Sequence, residues 1–161
     1  HVLTAAGLTG WDYQNPEESS YENLFKLAMA LKIPLGELQQ LFRRIVFNVV
    51  FNNIDDHLKN HSFCYRPETD SWHLSPAYDL TYALNPKLKF HKVSRALSIN
   101  GKREQINKKD LLKIADMFSI EHAEQTIQDI QEGRSLWSDL AYQNHLLPTL
   151  IAKIQQQMVE L

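Results

Sequence analysis

The stretch that decides the fold is LQQLFRRIVFNVVFNNIDDHLKN, residues 38–60. In its first part, apolar side chains recur three and four residues apart, the spacing of one face of a helix. These are Leu38, Leu41, Phe42, Ile45, Val46 and Val49. Pro34 precedes them where a first helical turn tolerates proline. The pattern predicts a central core helix that ends at about Val50, followed directly by a segment rich in polar side chains.

The segments on either side predict a small, mainly helical domain. Upstream, Ser19 and Glu22 have the spacing of a capping box and indicate a helix over residues 20–31. Downstream, residues 61–74 alternate apolar and polar side chains around a turn that begins at Pro67, which is typical of a hairpin. Residues 87–101 alternate only in part, so they predict a long loop that contains a strand.

The C-terminal third predicts further helices. Asn107 and Asp110 open one helix, and Ser119 is the predicted cap of the next, which Gly133 ends. Apolar residues from Leu136 onward indicate two more helices, broken or bent near Pro148. We therefore expect residues 1–161 to form a single domain of the mainly α class, with one small β-hairpin beside the polar segment.

Composition narrows the classes of protein to which the chain could belong. Its 161 residues carry a net charge of −2 with a pI near 6.4, so nucleic acid is not the default partner. The single cysteine, Cys64, excludes an internal disulfide and fits a reducing compartment. Since no apolar run approaches the length of a membrane span, we expect a soluble, cytoplasmic protein without direct membrane binding.

The polar segment and a later acid have the pattern of a phosphoryl-transfer site. Asp55 precedes Asn60 by five residues, and Asp79 follows the predicted hairpin. Protein kinases place a base Asp, an amide ligand and a second acidic ligand in this order. Mg²⁺ prefers few protein ligands with hard oxygens, so one Asn and one Asp suffice. Lys59 could meet a phosphate as a point charge.

Several alternatives accompany this assignment. Asp56 competes with Asp55 for the role of base, and only the five-residue spacing favours Asp55. His57 is expected to brace the loop backbone. A zinc site of His57, His61, Cys64 and His73 is disfavoured, because alternation along short strands would turn its members to different faces. A metal-dependent phosphohydrolase using Asp55, Asp56 and His57 would need further ligands that the sequence does not place.

These residues also carry a family resemblance that covers nearly the whole chain. Residues 55–60, Asp-Asp-His-Leu-Lys-Asn, and residues 76–80, Pro-Ala-Tyr-Asp-Leu, resemble two signatures of the HipA-like Ser/Thr kinases of bacterial toxin–antitoxin systems. Residues 21–24, 41–51, 61–63 and 97–101 also look like the C-terminal domain of that family.

The resemblance implies a helical kinase C-lobe that uses ATP and Mg²⁺. Asp55 would be the catalytic base, Asn60 and Asp79 would hold Mg²⁺, and Lys59, Asn60 and Asp79 would contact the nucleotide–metal complex. It also implies a protein substrate, such as a translation factor or an aminoacyl-tRNA synthetase, and a DNA-binding antitoxin as partner.

The sequence also predicts that half of a kinase site is missing. Its five glycines are never spaced as GxGxxG or as a Walker loop, so nothing cradles a triphosphate. With His1 as first residue, we expect a fragment that lacks the nucleotide-cradling N-terminal lobe and has little or no kinase activity alone. The rival hypothesis is a non-catalytic module that keeps the fold and binds an antitoxin or regulator.

Basic side chains outside the motif are expected to be solvated. Arg43 and Arg44 are assigned to an exposed helix face. A diffuse basic region follows Asp79 and is interpreted as a solvated loop, or alternatively as a surface for a protein substrate or DNA. Its members are Lys87, Lys89, Lys92, Arg95, Lys102, Arg103, Lys108 and Lys109.

Overall fold

A computed structural model of the chain describes residues 1–12, 14–83 and 94–161. The helices are α1 (Ala5–Thr9), α2 (Tyr21–Ala30), α3 (Leu35–Val50), α4 (Lys108–Met117), α5 (Ala123–Gly133), α6 (Trp137–Gln143) and α7 (Pro148–Gln157). The strands are β1 (Val2–Thr4), β2 (Ser62–Arg66) and β3 (Ser71–Leu74). The fold is mainly helical with one small antiparallel sheet, as the sequence predicted.

Helix α3 lies at the centre of the core, because its apolar stripe is buried along nearly its whole length. Helix α2 packs beside it with Tyr21, Leu24, Phe25 and Ala28 fully buried. Phe25 stacks on Phe118, which follows α4, with ring centroids 4.8 Å apart. The core therefore joins the N-terminal helices to the region of α4. The polar segment begins where the buried helix α3 ends.

The predicted hairpin is present and has an extra strand. Strands β2 and β3 pair antiparallel, with Phe63 opposite Leu74. Strand β1 completes the order β1-β2-β3 by pairing Leu3 with Phe63. The sequence pattern does not indicate β1, since three residues are too few to show the alternation that marks a strand.

Two predicted helix caps are wrong. Ser20, rather than Ser19, caps α2, because its side chain accepts a hydrogen bond from the Asn23 amide at 3.1 Å. His122, rather than Ser119, occupies the N-cap position of α5, in a left-handed conformation. The capping box of Asn107 and Asp110 is confirmed at α4, and Pro148 begins α7, which gives the predicted break.

The loop that follows Asp79 lies only partly within the described residues. The predicted strand positions Phe90 and Val93, and the basic residues Lys87, Lys89 and Lys92, fall outside them. Beyond this gap, Leu97 and Ile99 are fully buried, and a turn at Asn100 and Gly101 returns the chain. Within the described ranges, none of the helices combines the length and hydrophobicity that crossing a membrane requires.

Candidate functional site

The polar segment leaves α3 and makes one turn of 3-10 helix, Leu58–Asn60, before it enters β2. Leu58 is fully buried and fixes this turn to the core, while Lys59 is exposed. The segment is thus held at both ends by regular elements, which is how a loop can present side chains at defined positions.

Asn60 and Asp79 come together as the sequence predicted. The Asn60 Nδ2 donates to Asp79 Oδ2 at 2.8 Å and to the Asp55 carbonyl at 2.9 Å. These two bonds use both amide hydrogens, so the amide oxygen of Asn60 is directed away from them. The two side chains line a cleft together with Asn53, Tyr78 and Leu80.

The donor set suits a hard divalent cation. Asp79 Oδ2 accepts a hydrogen bond from the Asn60 amide nitrogen, and the amide oxygen of Asn60 lies on the other branch of the same group. Carboxylate and amide oxygens are both of the type that Mg²⁺ prefers. Asp79 is exposed, so phosphate oxygens and water could complete the coordination. These residues therefore fit an Mg²⁺ site of the open kind that binds a metal together with a phosphorylated ligand.

Asp55 belongs to the same loop, but its carboxylate is exposed and lies outside the residues that line the cleft. Only its backbone carbonyl is joined to Asn60. The structure thus brings Asn60 and Asp79 into one cleft and leaves the Asp55 side chain facing solvent.

Asp56 has a different environment from Asp55, with only 1% of its surface exposed. Its Oδ2 accepts a hydrogen bond from the Tyr21 hydroxyl at 2.6 Å and lies 3.3 Å from an Arg95 guanidinium nitrogen. The backbone amide of Leu97 donates to its Oδ1 at 3.4 Å. Asp56 therefore joins the loop to α2 and to the segment that follows residue 93.

Arg95 lies at the centre of this buried network. Its burial contradicts the prediction that it belongs to a solvated basic loop. It is buried, and its guanidinium also donates to the carbonyls of Asn48 and Asn53, both at 2.8 Å. Arg103 and Lys102 are likewise engaged, the first with the Ser19 carbonyl at 2.9 Å and the second with Asp110 at 2.8 Å. Arg95 and Arg103 are therefore structural rather than solvated, whereas Lys102 and Lys109 are exposed, as expected of a solvated region.

Burial sets the protonation of two groups in the network. It raises the pKa of the Tyr21 hydroxyl well above its ordinary value, and the neighbouring Asp56 carboxylate adds to the rise. Burial also lowers the pKa of His61 to about 4, so the ring is neutral at pH 7. The His61 Nε2 lies 3.3 Å from the Asp56 carbonyl. His61 thus contacts the loop backbone in the way that sequence analysis expected of His57.

Arg44 was assigned to a solvated helix face, and the structure contradicts this. Its guanidinium donates to the Ser75 carbonyl and lines the cleft, and burial lowers its pKa. Arg43, its neighbour, is half-exposed and pairs with Asp129 at 3.5 Å. The helical repeat alone does not show which of the two arginines is buried, since both lie directly after a residue pair of the apolar stripe.

Asn48 and Tyr21 also support the polar segment, and the sequence indicated only the first of them. Asn48 is buried among the apolar residues of α3 and donates to the Tyr21 hydroxyl at 2.9 Å. A polar residue on the apolar face of a helix needs a buried hydrogen-bond partner, so its presence in the sequence predicts a buried polar contact. Tyr21 gave no comparable signal, because its ring occupies an ordinary core position.

The disfavoured zinc cluster is not assembled. The His73 Nδ1 lies 2.7 Å from Glu37 Oε1 on α3, whereas His61 is buried against Tyr21. Within residues 1–12, 14–83 and 94–161, no group of three or more His, Cys, Asp or Glu side chains is arranged to hold a metal ion.

Comparisons with known proteins identify the family and the fold. The statistical model of the family described as "HipA-like C-terminal domain" matches residues 1–137. Among solved structures, the chain resembles one in the complex of HipA, HipB and operator DNA of the Shewanella oneidensis MR-1 toxin–antitoxin system, with a TM-score of 0.74 and 18% identity.

The structural match covers 98% of this chain but only 42% of the other. At that identity it establishes the fold alone. No curated protein matches the chain. Because the family match spans most of the sequence, the chain belongs to the HipA-like C-terminal domain family.

Proposed function

We propose that the chain is the catalytic-loop and Mg²⁺-binding lobe of an ATP-dependent Ser/Thr protein kinase of toxin–antitoxin type. The observation that carries this proposal is the 2.8 Å contact between Asn60 and Asp79, made beside a loop that also holds Asp55 five residues earlier. The order of the three residues along the chain supports the proposal, and so does the convergence of Asn60 and Asp79 on one cleft, because phosphoryl transfer requires both.

Each residue has a distinct role in this proposal. The Asn60 amide oxygen and the Asp79 carboxylate hold Mg²⁺, which neutralises the phosphate charge when it is bound with ATP. The Asp55 carboxylate orients a Ser or Thr hydroxyl of the substrate and accepts its proton. Lys59 is exposed beside Asn60 and contacts a phosphate oxygen as a point charge.

Burial favours Asp55 over Asp56 as the base. A base must reach the substrate hydroxyl, and Asp56 is enclosed by Tyr21, Arg95 and Leu97. Asp55 is exposed, and its backbone carbonyl contacts the ligand Asn60. A substrate can therefore approach Asp55 without disturbing the buried network.

The partners of the proposed kinase follow from the family rather than from the cleft. We propose that a separate N-terminal lobe grips the nucleotide, since the glycines of this chain do not form a phosphate loop. The matched Shewanella complex contains HipB and operator DNA. By analogy, a DNA-binding antitoxin is proposed as the partner, and a component of translation, such as an aminoacyl-tRNA synthetase, as the substrate.

Asp79→Ala in the full-length protein tests the proposal. Removal of the carboxylate should abolish Mg²⁺-dependent binding of ATP, measured by calorimetry with and without Mg²⁺, while thermal unfolding stays close to wild type. Asp139→Ala is the matched control, because Asp139 is an exposed carboxylate on α6 outside the cleft. It should bind as wild type does.

The second candidate is a non-catalytic module that binds an antitoxin or regulator. The exposed position of the Asp55 side chain outside the cleft is the observation that favours it. Equal Mg²⁺-dependent binding by wild type and Asp79→Ala would contradict the kinase proposal and support this one.

A further inference from the structure

Asn53 contacts the cleft without belonging to the predicted motif. Only 2% of its surface is exposed, and its Nδ2 donates to Asn48 Oδ1 at 3.1 Å and to the Asp79 carbonyl at 3.2 Å. Both acceptors are oxygens, so the amide nitrogen must face them. Asn53 thereby links the last turn of α3 to the backbone of Asp79.

Asp79 needs such a link, because its backbone is in an unfavourable conformation. Its φ of 53° is in the left-handed region, which residues other than glycine adopt infrequently. The neighbouring Tyr78 and Leu80 are exposed, at 40% and 42%, and the Tyr78 hydroxyl donates to the Lys59 carbonyl at 2.7 Å. That bond anchors the residue before Asp79, whereas the bond from Asn53 acts on the Asp79 carbonyl itself. The hydrogen bond from Asn53 is therefore well placed to keep the Asp79 carboxylate turned towards Asn60.

The two proposed metal ligands are both anchored to the same short segment. Asn60 is held by the carbonyl of Asp55, and Asp79 is held by the side chain of Asn53. Arg95 in turn fixes the carbonyl of Asn53 at 2.8 Å. Residues 53–55 thus anchor both proposed ligands, and their position determines the distance between Asn60 and Asp79.

We propose that Asn53 is a positioning residue that determines the affinity of the cleft for a divalent cation. The inference rests on the proposed function, in which Asn60 and Asp79 are the ligands. Groups that orient metal ligands without touching the metal typically change affinity by about 10- to 100-fold when they are removed. Loss of the Asn53 amide releases Asp79 and should weaken cation binding in that range.

Asn52 is a matched control next to Asn53. It is also a buried asparagine, 9% exposed, and differs from Asn53 in having a left-handed φ of 53°. Its amide, however, donates to the carbonyl of Gln157 in α7 rather than to the cleft. A change at Asn52 therefore tests the general cost of losing a buried amide in this segment.

Mn²⁺ serves as the probe, because its binding is read directly by electron paramagnetic resonance and needs no activity. The full-length protein, with a non-hydrolysable ATP analogue, is titrated as wild type, Asn53→Ala, Asn53→Ser and Asn52→Ala. We expect the Mn²⁺ dissociation constant to rise about tenfold or more for both Asn53 variants and to stay within about twofold of wild type for Asn52→Ala. Asn53→Ser keeps a small polar side chain and provides a second folded variant if Asn53→Ala unfolds.

Three results would overturn the inference or its basis, and they are distinguishable. Folded Asn53 variants that bind Mn²⁺ as tightly as wild type contradict the positioning role. Equal weakening by Asn52→Ala shows a general loss of stability instead. Wild-type binding that is unchanged by Asp79→Ala removes the proposed metal site itself, whatever the Asn53 variants do.

Discussion

At the scale of single residues, two ion pairs of similar geometry differ in their surroundings. Asp56 and Arg95 approach to 3.3 Å with both side chains buried, whereas Arg43 and Asp129 approach to 3.5 Å with both half-exposed. Water and salt screen the exposed pair, but a charge left alone in the core has no such compensation. The two pairs should therefore respond differently when one carboxylate is removed.

Asp56→Ala should destabilise the fold by about 3–5 kcal/mol, because it leaves the buried Arg95 guanidinium without its counter-ion. Asp129→Ala should cost no more than about 1 kcal/mol. Urea unfolding at pH 7, followed by circular dichroism, measures both. Similar losses from the two substitutions would show that the buried network does not hold the loop.

At the scale of elements, the helices that were predicted best are those that a short sequence pattern identifies. The stripe of α3 and the capping box of Asn107 and Asp110 can be recognised within a few residues. The hairpin likewise follows from alternation around Pro67. The cap at Ser20 was misassigned by one residue, because Ser19 and Ser20 offer the same chemistry in adjacent positions.

Asn107→Ala should lower the free energy of unfolding by about 1 kcal/mol, since the Asn107 side chain satisfies the free amides of Lys109 and Asp110 at the start of α4. Asn144→Ala is a suitable control, because Asn144 follows α6 and its exposed side chain donates to the Leu140 carbonyl rather than accepting from the amides at the start of a helix. An equal effect of the two changes in urea unfolding would contradict the capping role.

The site was predictable only in part, for a physical reason. The order and spacing of Asp55, Asn60 and Asp79 predict a phosphoryl-transfer site, and the structure shows the contact of Asn60 with Asp79 across the hairpin that separates them. The residues that support them could not be predicted, because Tyr21 and Arg95 reach Asp56 across 35 and 39 positions of sequence. A side chain's partner at that distance depends on packing, which no local pattern records.

At the scale of the whole molecule, the cleft of Asn60 and Asp79 would be one side of the phosphoryl-transfer site that we propose. The glycines with positive φ serve turns: Gly10 ends α1, and Gly101 completes the turn before Lys102. Neither contributes to a loop around phosphates. In the proposed kinase, a nucleotide would therefore be positioned by groups beyond the cleft of Asn60 and Asp79.

The isolated chain should accordingly transfer phosphate slowly or not at all, even with saturating Mg²⁺ and ATP. Loss of the groups that position the triphosphate removes most of the advantage of proximity. Radiolabelled phosphate transfer, measured for the isolated chain and for the full-length protein at equal concentration, checks this. Comparable turnover by the two would contradict the division of the site.

The bonds from Arg95 to Asp56 and Asn53 have a consequence for the protein during its synthesis. When residues 1–80 have emerged from the ribosome, Asp55, Asn60 and Asp79 are already present. The Arg95 guanidinium, which contacts their loop, has not yet been synthesised or is still inside the ribosome. Contacts between residues far apart in sequence form late, once the entropy of closing the intervening chain has been overcome. The contacts of Arg95 with Asp56 and Asn53 therefore form only after Arg95 has emerged and docked, so a shorter nascent chain contains Asp55, Asn60 and Asp79 without this support of their loop.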